Sequence, residues 1–309
     1  MSLSTQEGNF KLREGEFENA KQIFSELLDS DPNNSTLIAG FFISSYWDNR
    51  IDKILSKKEG KERGNLLITL FNQFIEEVKK RKLPHNDSYL SATYCILTEA
   101  STQFKLSYQR EGINGLDKEV LSNLIMCLTG IGDYKNAYET LEYTRKYYDL
   151  SLKNIYYLAE CLFHLGEIEK SKYYYRVALL SDVDSLNLDM IHSEPILSSL
   201  KALEQKFLDL ETIKQYLPVY LLENNLLDDS MDSTKEEVQN TLNEIQRLEV
   251  NLNSDKEDVK FKIECRILSL CLSILDSFTV RSNPELLKKI KNKISSIDPE
   301  LLDRRISKY

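Results

Sequence analysis

Glycine and proline are scarce in this chain, ten and six among 309 residues. Runs of strand-like residues bounded by turn residues are missing too, which removes the turn-rich all-β architectures. No apolar run approaches the ~18 to 20 residues that a membrane helix requires; the longest, around Phe41-Phe42-Ile43, is far shorter. The first ten residues are polar and lack the basic-then-apolar order of a secretory signal. The expectation is a cytoplasmic protein without membrane insertion.

Positive charge is in deficit, with a formal net charge of −9. A nucleic-acid partner needs a basic footprint, so none is expected. The excess is local: Phe207 to Lys260 carries 13 acidic against 5 basic residues, whereas Ser282 to Tyr309 carries 7 basic against 4 acidic. Cysteine is sparse and odd in number, Cys95, Cys127, Cys161, Cys265 and Cys271, with no CxxC pair. Neither a disulfide framework nor a zinc site is expected, and the five read as small buried hydrophobes.

Catalytic signatures are missing as well. His85, His164 and His192 have no HExxH pattern and no Cys or Asp at ligand spacing, and the chain has no GxSxG, GxGxxG or Walker-type loop. Gly112 to Gly115 reads as a loop between helices. The chain is therefore expected to be no enzyme and to need no cofactor or metal.

What is present is a repeat. Leu128–Leu141 (LTGIGDYKNAYETL) and Leu162–Tyr175 (LFHLGEIEKSKYYY) align without a gap at a period of 34, and Leu12–Phe24 (LREGEFENAKQIF) is a third copy. Gly15, Gly132 and Gly166 each end one helical run, where a residue tolerating positive φ is wanted. Small Ala20, Ala137 and Ser171 let a second helix approach the first, and Phe24, Leu141 and Tyr175 fill the space one turn later. A helical hairpin with one apolar face per helix cannot bury that face alone, so it must stack on neighbours.

Period, helix pair and pattern resemble the tetratricopeptide repeat. In the first copy Gly8, Ala20, Phe24 and Pro32 stand where the family has Gly, Ala, Phe and Pro; Ser4, Glu7, Lys11 and Leu27 depart. Lys118 to Ser151 keeps Leu121, Leu124 and Leu128, with Ile125, Thr144 and Asp149 departing. Leu152 to Ser185 keeps Leu158, Ala159, Leu162, Tyr175 and Ala178, with Ser171 and Val183 departing. The resemblance implies an all-α, tetratricopeptide-type helical-hairpin solenoid over residues 1–185, followed by a less regular C-terminal helical extension or bundle over 186–309.

Between the copies, Ser35 to Trp47 reads as the first helix of a further repeat. Leu67, Leu70, Phe71, Phe74, Ile75 and Val78 form an amphipathic stripe, as do Tyr89, Ala92, Ile96, Ala100 and Phe104. These two longer helices predict an elaborated hairpin inserted around 48–117. Further on, Pro195 and Pro218 are expected near helix starts, Leu227 to Thr234 as a linker, and Thr234 with Glu237 as a capping box. Helices are expected over Lys256 to Val280, from Pro284 behind Asn283, and from Pro299 behind Asp298. The tail helix Leu286–Ile294 is expected to dock by Leu287, Ile290 and Ile294, or else to meet an anionic surface with its lysines.

In tetratricopeptide proteins the first helix of each repeat lines a concave groove that holds a partner's peptide or helix. Carried over place by place, that face offers Asn9 and Arg13, then Ser122, Asn123 and Met126, then Lys153, Tyr156, Glu160, Phe163 and His164. Amide, charge and aromatic together suit a peptide; the alternative for Tyr156 and Phe163 is cover by the C-terminal helices. Asn9, Asn123 and Lys153 also fall on places that relatives use to clamp acidic chaperone tails, but Thr5 and Tyr157 stand where that clamp needs Lys and Arg. The implied function is a scaffold or adaptor that binds another protein, with a peptide- or ligand-responsive sensor or a chaperone-like factor as alternatives.

Overall fold

A computed structural model describes residues 4–112, 117–186, 188, 191–227, 233–252 and 257–306. The chain is helical, with no strand among the described residues. It divides into two compact units, Met1–Asp149 and Leu150–Tyr309. The division falls at 149/150, and Tyr156, Ala159, Tyr175 and Ala178 of the third copy belong to one core with the C-terminal helices.

The first unit begins with α1 (Thr5–Arg13) and α2 (Phe17–Ser30), followed by α3 (Ser35–Asp48) and the short α4 (Ile51–Leu55). The long pair α5 (Lys61–Lys80) and α6 (Asp87–Glu111) comes next, as the two stripes predict, and α7 (Lys118–Gly130) with α8 (Tyr134–Tyr147) closes the unit. Leu67, Leu70, Phe71, Phe74 and Val78 of α5 are buried, as are Tyr89, Ala92, Ile96, Ala100 and Phe104 of α6. The loop expected at 112–115 lies, but for Gly112, outside the described residues.

The second unit comprises α9 (Leu152–His164), α10 (Ile168–Ser181), α11 (Glu194–Glu204), α12 (Leu210–Glu223), α13 (Lys235–Val250), α14 (Glu257–Leu275), α15 (Phe278–Arg281), α16 (Pro284–Ile297) and α17 (Leu301–Ile306).

Three hairpins, α1/α2, α7/α8 and α9/α10, share one turn. Gly15, Gly132 and Gly166 have φ of 79°, 80° and 84°. In each turn the amide after the glycine donates to a carbonyl five residues back: Glu16 to Lys11, Asp133 to Leu128 and Glu167 to Leu162, all at 2.9 Å. That bond satisfies an orphan carbonyl at the end of the first helix, and only glycine reaches this φ without a Cβ penalty. Ala20, Ala137 and Ser171 are all buried at the crossing. Ser171 fits an alanine place because its hydroxyl donates to Ala159 O at 2.7 Å.

In the second unit, Pro195 lies in the first turn of α11, as expected. Pro218 does not start a helix: α12 begins at Leu210 behind the Asp209 cap and runs through it. Pro218 is buried within the helix, where it removes the helical donor to the Lys214 carbonyl. The capping box is formed, with Glu237 N–H on Thr234 Oγ1 at 3.2 Å and Thr234 N–H on the Glu237 carboxylate at 2.7 Å. Residues 228–232 of the expected linker lie outside the described residues. The helix expected to reach Val280 stops at Leu275 and α15 follows; α17 starts at Leu301, two residues after Pro299.

The opposite charges of the acidic stretch and the tail meet inside this unit. Lys293 of α16 pairs with Glu249 of α13, and Arg304 of α17 pairs with Glu223 of α12 at 3.1 Å and with Asp298 at 2.7 Å. Helix α16 docks by buried Ile290 and Ile294, with Leu287 packed beside them.

Candidate functional site

Of the ten residues assigned to a groove by resemblance, four are buried, Asn9, Met126, Tyr156 and Glu160, and the other six are exposed or partly exposed. Asn9 is buried under α6, where Ser88 Oγ donates to its Oδ1 at 2.6 Å. Arg13 stacks on Tyr94 of the same helix, guanidinium carbon 3.7 Å from the ring centre. The inserted hairpin therefore covers Asn9, while Arg13 stays exposed beside it. On α7, Met126 is buried, whereas Ser122 and Asn123 are partly exposed.

On α9 only part of the expected face is accessible. Tyr156 is 4 % exposed, its hydroxyl donates to Asp182 O at 2.9 Å, and burial pushes that hydroxyl's pKa far up. It packs with the C-terminal core, the alternative weighed for it from sequence. Glu160 is 1 % exposed. Its carboxylate accepts from the Tyr175 hydroxyl and the His192 amide, and His164 Nε2 lies 3.1 Å from it. The Tyr175 hydroxyl also lies 2.8 Å from Ser193 Oγ. Burial, then the Glu160 charge, raises the Tyr175 pKa. This carboxylate is saturated by its own chain, which leaves it a structural tie between α9, α10 and the segment that leads into α11. Lys153 is exposed, 5.8 Å from the Tyr157 ring centre, and Phe163 is half-buried.

Three cysteines have thiols that burial makes unreactive: Cys95 is pushed up to about 11, Cys265 and Cys271 to about 12. Cys127 and Cys161 are buried. Among the described residues there is no cluster of three or more His, Cys, Asp or Glu placed to hold a metal, and no helix long and apolar enough to cross a membrane.

The feature that sequence reasoning passed over is the outward face of α3, a helix it did expect over Ser35 to Trp47. Its sequence, STLIAGFFISSYWD, is apolar on nearly every side. Leu37, Ala39, Gly40, Ile43 and Trp47 are buried, while Ile38 and Phe41 are 42 % and 37 % exposed. Ile38, Phe41, Phe42, Ser45 and Asn49 recur at i, i+3, i+4, i+7 and i+11, which puts them on one face.

That stripe runs into a cleft of about 620 Å³ between α3 and α5. Tyr46 forms its floor, 5 % exposed, with its hydroxyl donating to Leu70 O at 3.1 Å and its pKa raised by burial. Arg50 lies over the Tyr46 ring, guanidinium carbon 3.5 Å from its centre, and donates to Tyr46 O at 2.7 Å. Arg81 lies 4.6 Å over Phe42 and donates to Glu77 at 3.3 Å. Asn49, Asn72, Gln73, Glu76 and Glu77 also line the cleft. Cation–π attraction favours a guanidinium over each ring. The cleft thus combines aromatic surface, oriented donors and side-chain amides, the equipment for hydrogen-bonding a peptide backbone while covering an apolar side chain. A sequence signal existed: an all-round apolar helix in a polar chain, with Phe42, Tyr46 and Arg50 at spacings of four.

Comparison of the chain with protein-family models, with curated proteins and with solved structures returned no match in any of the three.

Proposed function

We propose that this chain is a non-catalytic interaction scaffold of tetratricopeptide type, working in the cytoplasm, that holds a segment of another protein against α3. The observation that carries the reading is the apolar stripe Ile38–Phe41–Phe42 leading into the α3/α5 cleft. A helix that is apolar all round belongs in an interior, yet one side of α3 faces outward, and exposed apolar strips rimmed by polar groups mark interaction surfaces. The three hairpins with a common turn support the repeat type, which binds through helix faces. The saturated state of Glu160 and the buried thiols speak for structure and against chemistry at those groups.

The partner segment lays an apolar side chain on Phe41 and Phe42, and its backbone meets Asn72 and Gln73. A photo-crosslinking residue at position 73, compared with one at Lys289 on the exposed face of α16, tests this. One recurring protein segment joined at 73 and missing at 289 is the expected result; identical product sets at both positions would refute the reading.

A further inference from the structure

A second cleft of the first unit, about 270 Å³ in volume, lies where α6, α7 and α8 meet. Its floor is Leu121, Leu124 and Leu128, which recur at i, i+3 and i+7 along α7 and are nearly closed to solvent. Lys105 and Tyr108 stand on the α6 wall, Glu139 and Tyr143 on the α8 wall, so each wall carries a charge and a phenol. Tyr143 is backed by Tyr147, ring centres 4.9 Å apart. Desolvation, then the neighbouring hydroxyls of Tyr147, Tyr108 and Tyr148, raises the Tyr143 pKa, so the phenols of the two walls lie near one another.

The two charges are uncompensated. Lys105 and Glu139 are exposed, and among the described residues neither forms an ion pair or a hydrogen bond, with the other or with any third group. The remaining polar groups of the lining are engaged: Thr140 Oγ1 donates to Asn136 O at 2.7 Å, and the Asn136 amide donates to Asp133 at 2.8 Å. Arg13 sits over Tyr94 and Arg50 over Tyr46, but no Lys or Arg among the described residues lies over Tyr108 or Tyr143. The cleft thus has a positive wall, a negative wall and an apolar floor.

We propose that this cleft binds a small zwitterion with a quaternary ammonium at one end and a carboxylate at the other, the ammonium beside Glu139 and Tyr143 and the carboxylate beside Lys105. A quaternary ammonium has no N–H to leave unsatisfied over the leucines, and its methyl groups suit both that floor and an aromatic face. A primary amine would bring N–H donors to a lining whose Asn136 and Thr140 are already engaged. A simple cation meets the repulsion of Lys105 and a simple anion that of Glu139, whereas a ligand with both charges answers both walls. The volume falls just below the range of drug-sized sites, about 300 to 1,000 Å³, which suits a ligand this small. The cleft shares no lining residue with the α3/α5 cleft, so the inference is independent of the scaffold reading.

The test is titration of the full chain, carrying ¹³C-labelled leucine methyls, with γ-butyrobetaine, a trimethylammonium butyrate. Tetramethylammonium supplies the cationic end alone, butyrate the anionic end alone, and γ-aminobutyrate the same zwitterion without methyl groups. Saturable shifts centred on Leu121, Leu124 and Leu128 are expected with γ-butyrobetaine, and each control should bind more weakly by about threefold or more. Lys105→Gln and Glu139→Gln, both at exposed positions, should each weaken γ-butyrobetaine by about threefold with the melting temperature unchanged. Absence of saturation, shifts centred away from these leucines, a control that binds as tightly as γ-butyrobetaine, or unchanged affinity in either variant would overturn the proposal.

Discussion

Gly40 on α3 and Phe24 on α2 meet so closely that a Cβ at residue 40 would lie 2.5 Å from the Phe24 ring. Gly8 on α1 approaches the same fully buried ring, with a Cβ there 2.7 Å away. One aromatic ring is thus held between two glycines on flanking helices, which fixes the distance of α3 from the first hairpin. The place of Gly8 was legible as a small-residue position of the repeat; that of Gly40 was not.

Gly40→Ala is expected to lower stability by about 1 to 2 kcal/mol. Alanine gains about 1 kcal/mol of helix propensity, but overpacking against an immobile ring costs about 1 to 3 kcal/mol and displacement of α3 adds to it. Adding Phe24→Leu should recover part of the loss, a non-additivity readable by denaturant unfolding of the four chains of the cycle.

The turn glycine Gly166 responds to φ and not to space. At Gly166 nothing lies within 4 Å of where a Cβ would go, yet its φ is 84°. Gly166→Ala should therefore cost about 1 to 2 kcal/mol and Gly166→Asn less, since asparagine tolerates the left-handed region. Equal melting temperatures for the two variants would contradict the turn geometry.

Tyr156 and Lys153 separate core from surface on α9. Tyr156→Ala removes a buried ring and is expected to cost about 3 to 5 kcal/mol, whereas Lys153→Glu should change stability by about 0.5 kcal/mol or less. Thermal melts of the two single variants check this directly.

These contrasts show how far the letters reach. The period of 34, the two long stripes, the capping box and the docking face of α16 all follow from local spacing, because helix faces and caps are local physics. The groove residues carried over by resemblance depended instead on which face stays uncovered. Nothing local to α1 announces that Ser88 and Tyr94 of α6 will meet Asn9 and Arg13. Nor does α9 announce that Tyr156 and Glu160 will be enclosed by its own unit. Coverage of a face is a tertiary fact set by helices far along the chain, and it closes Asn9, Tyr156 and Glu160 to a partner.

Acid should weaken the second unit through Asp298. Burial raises its pKa, but the Arg304 hydrogen bond and charge outweigh this and hold it below the ordinary 3.8. A depressed carboxylate contributes stability above its unfolded pKa, and that contribution is lost as pH falls below about 4 through the folded value. Asp298→Asn should cost about 1 kcal/mol at pH 7, a modest amount for a partly exposed pair, and the difference from the parent chain should shrink at pH 3. Urea unfolding at both pH values measures it.

The central claim, that a partner segment rests on α3 and enters the α3/α5 cleft, is tested most directly by calorimetry with the segment recovered by crosslinking at position 73. The parent chain is compared with Phe41→Glu, which places a charge on the exposed stripe and leaves the buried face of α3 untouched. A loss of affinity of at least tenfold, about 1.4 kcal/mol, with the melting temperature unchanged, is the result the account predicts. Equal affinity of the two chains would contradict it.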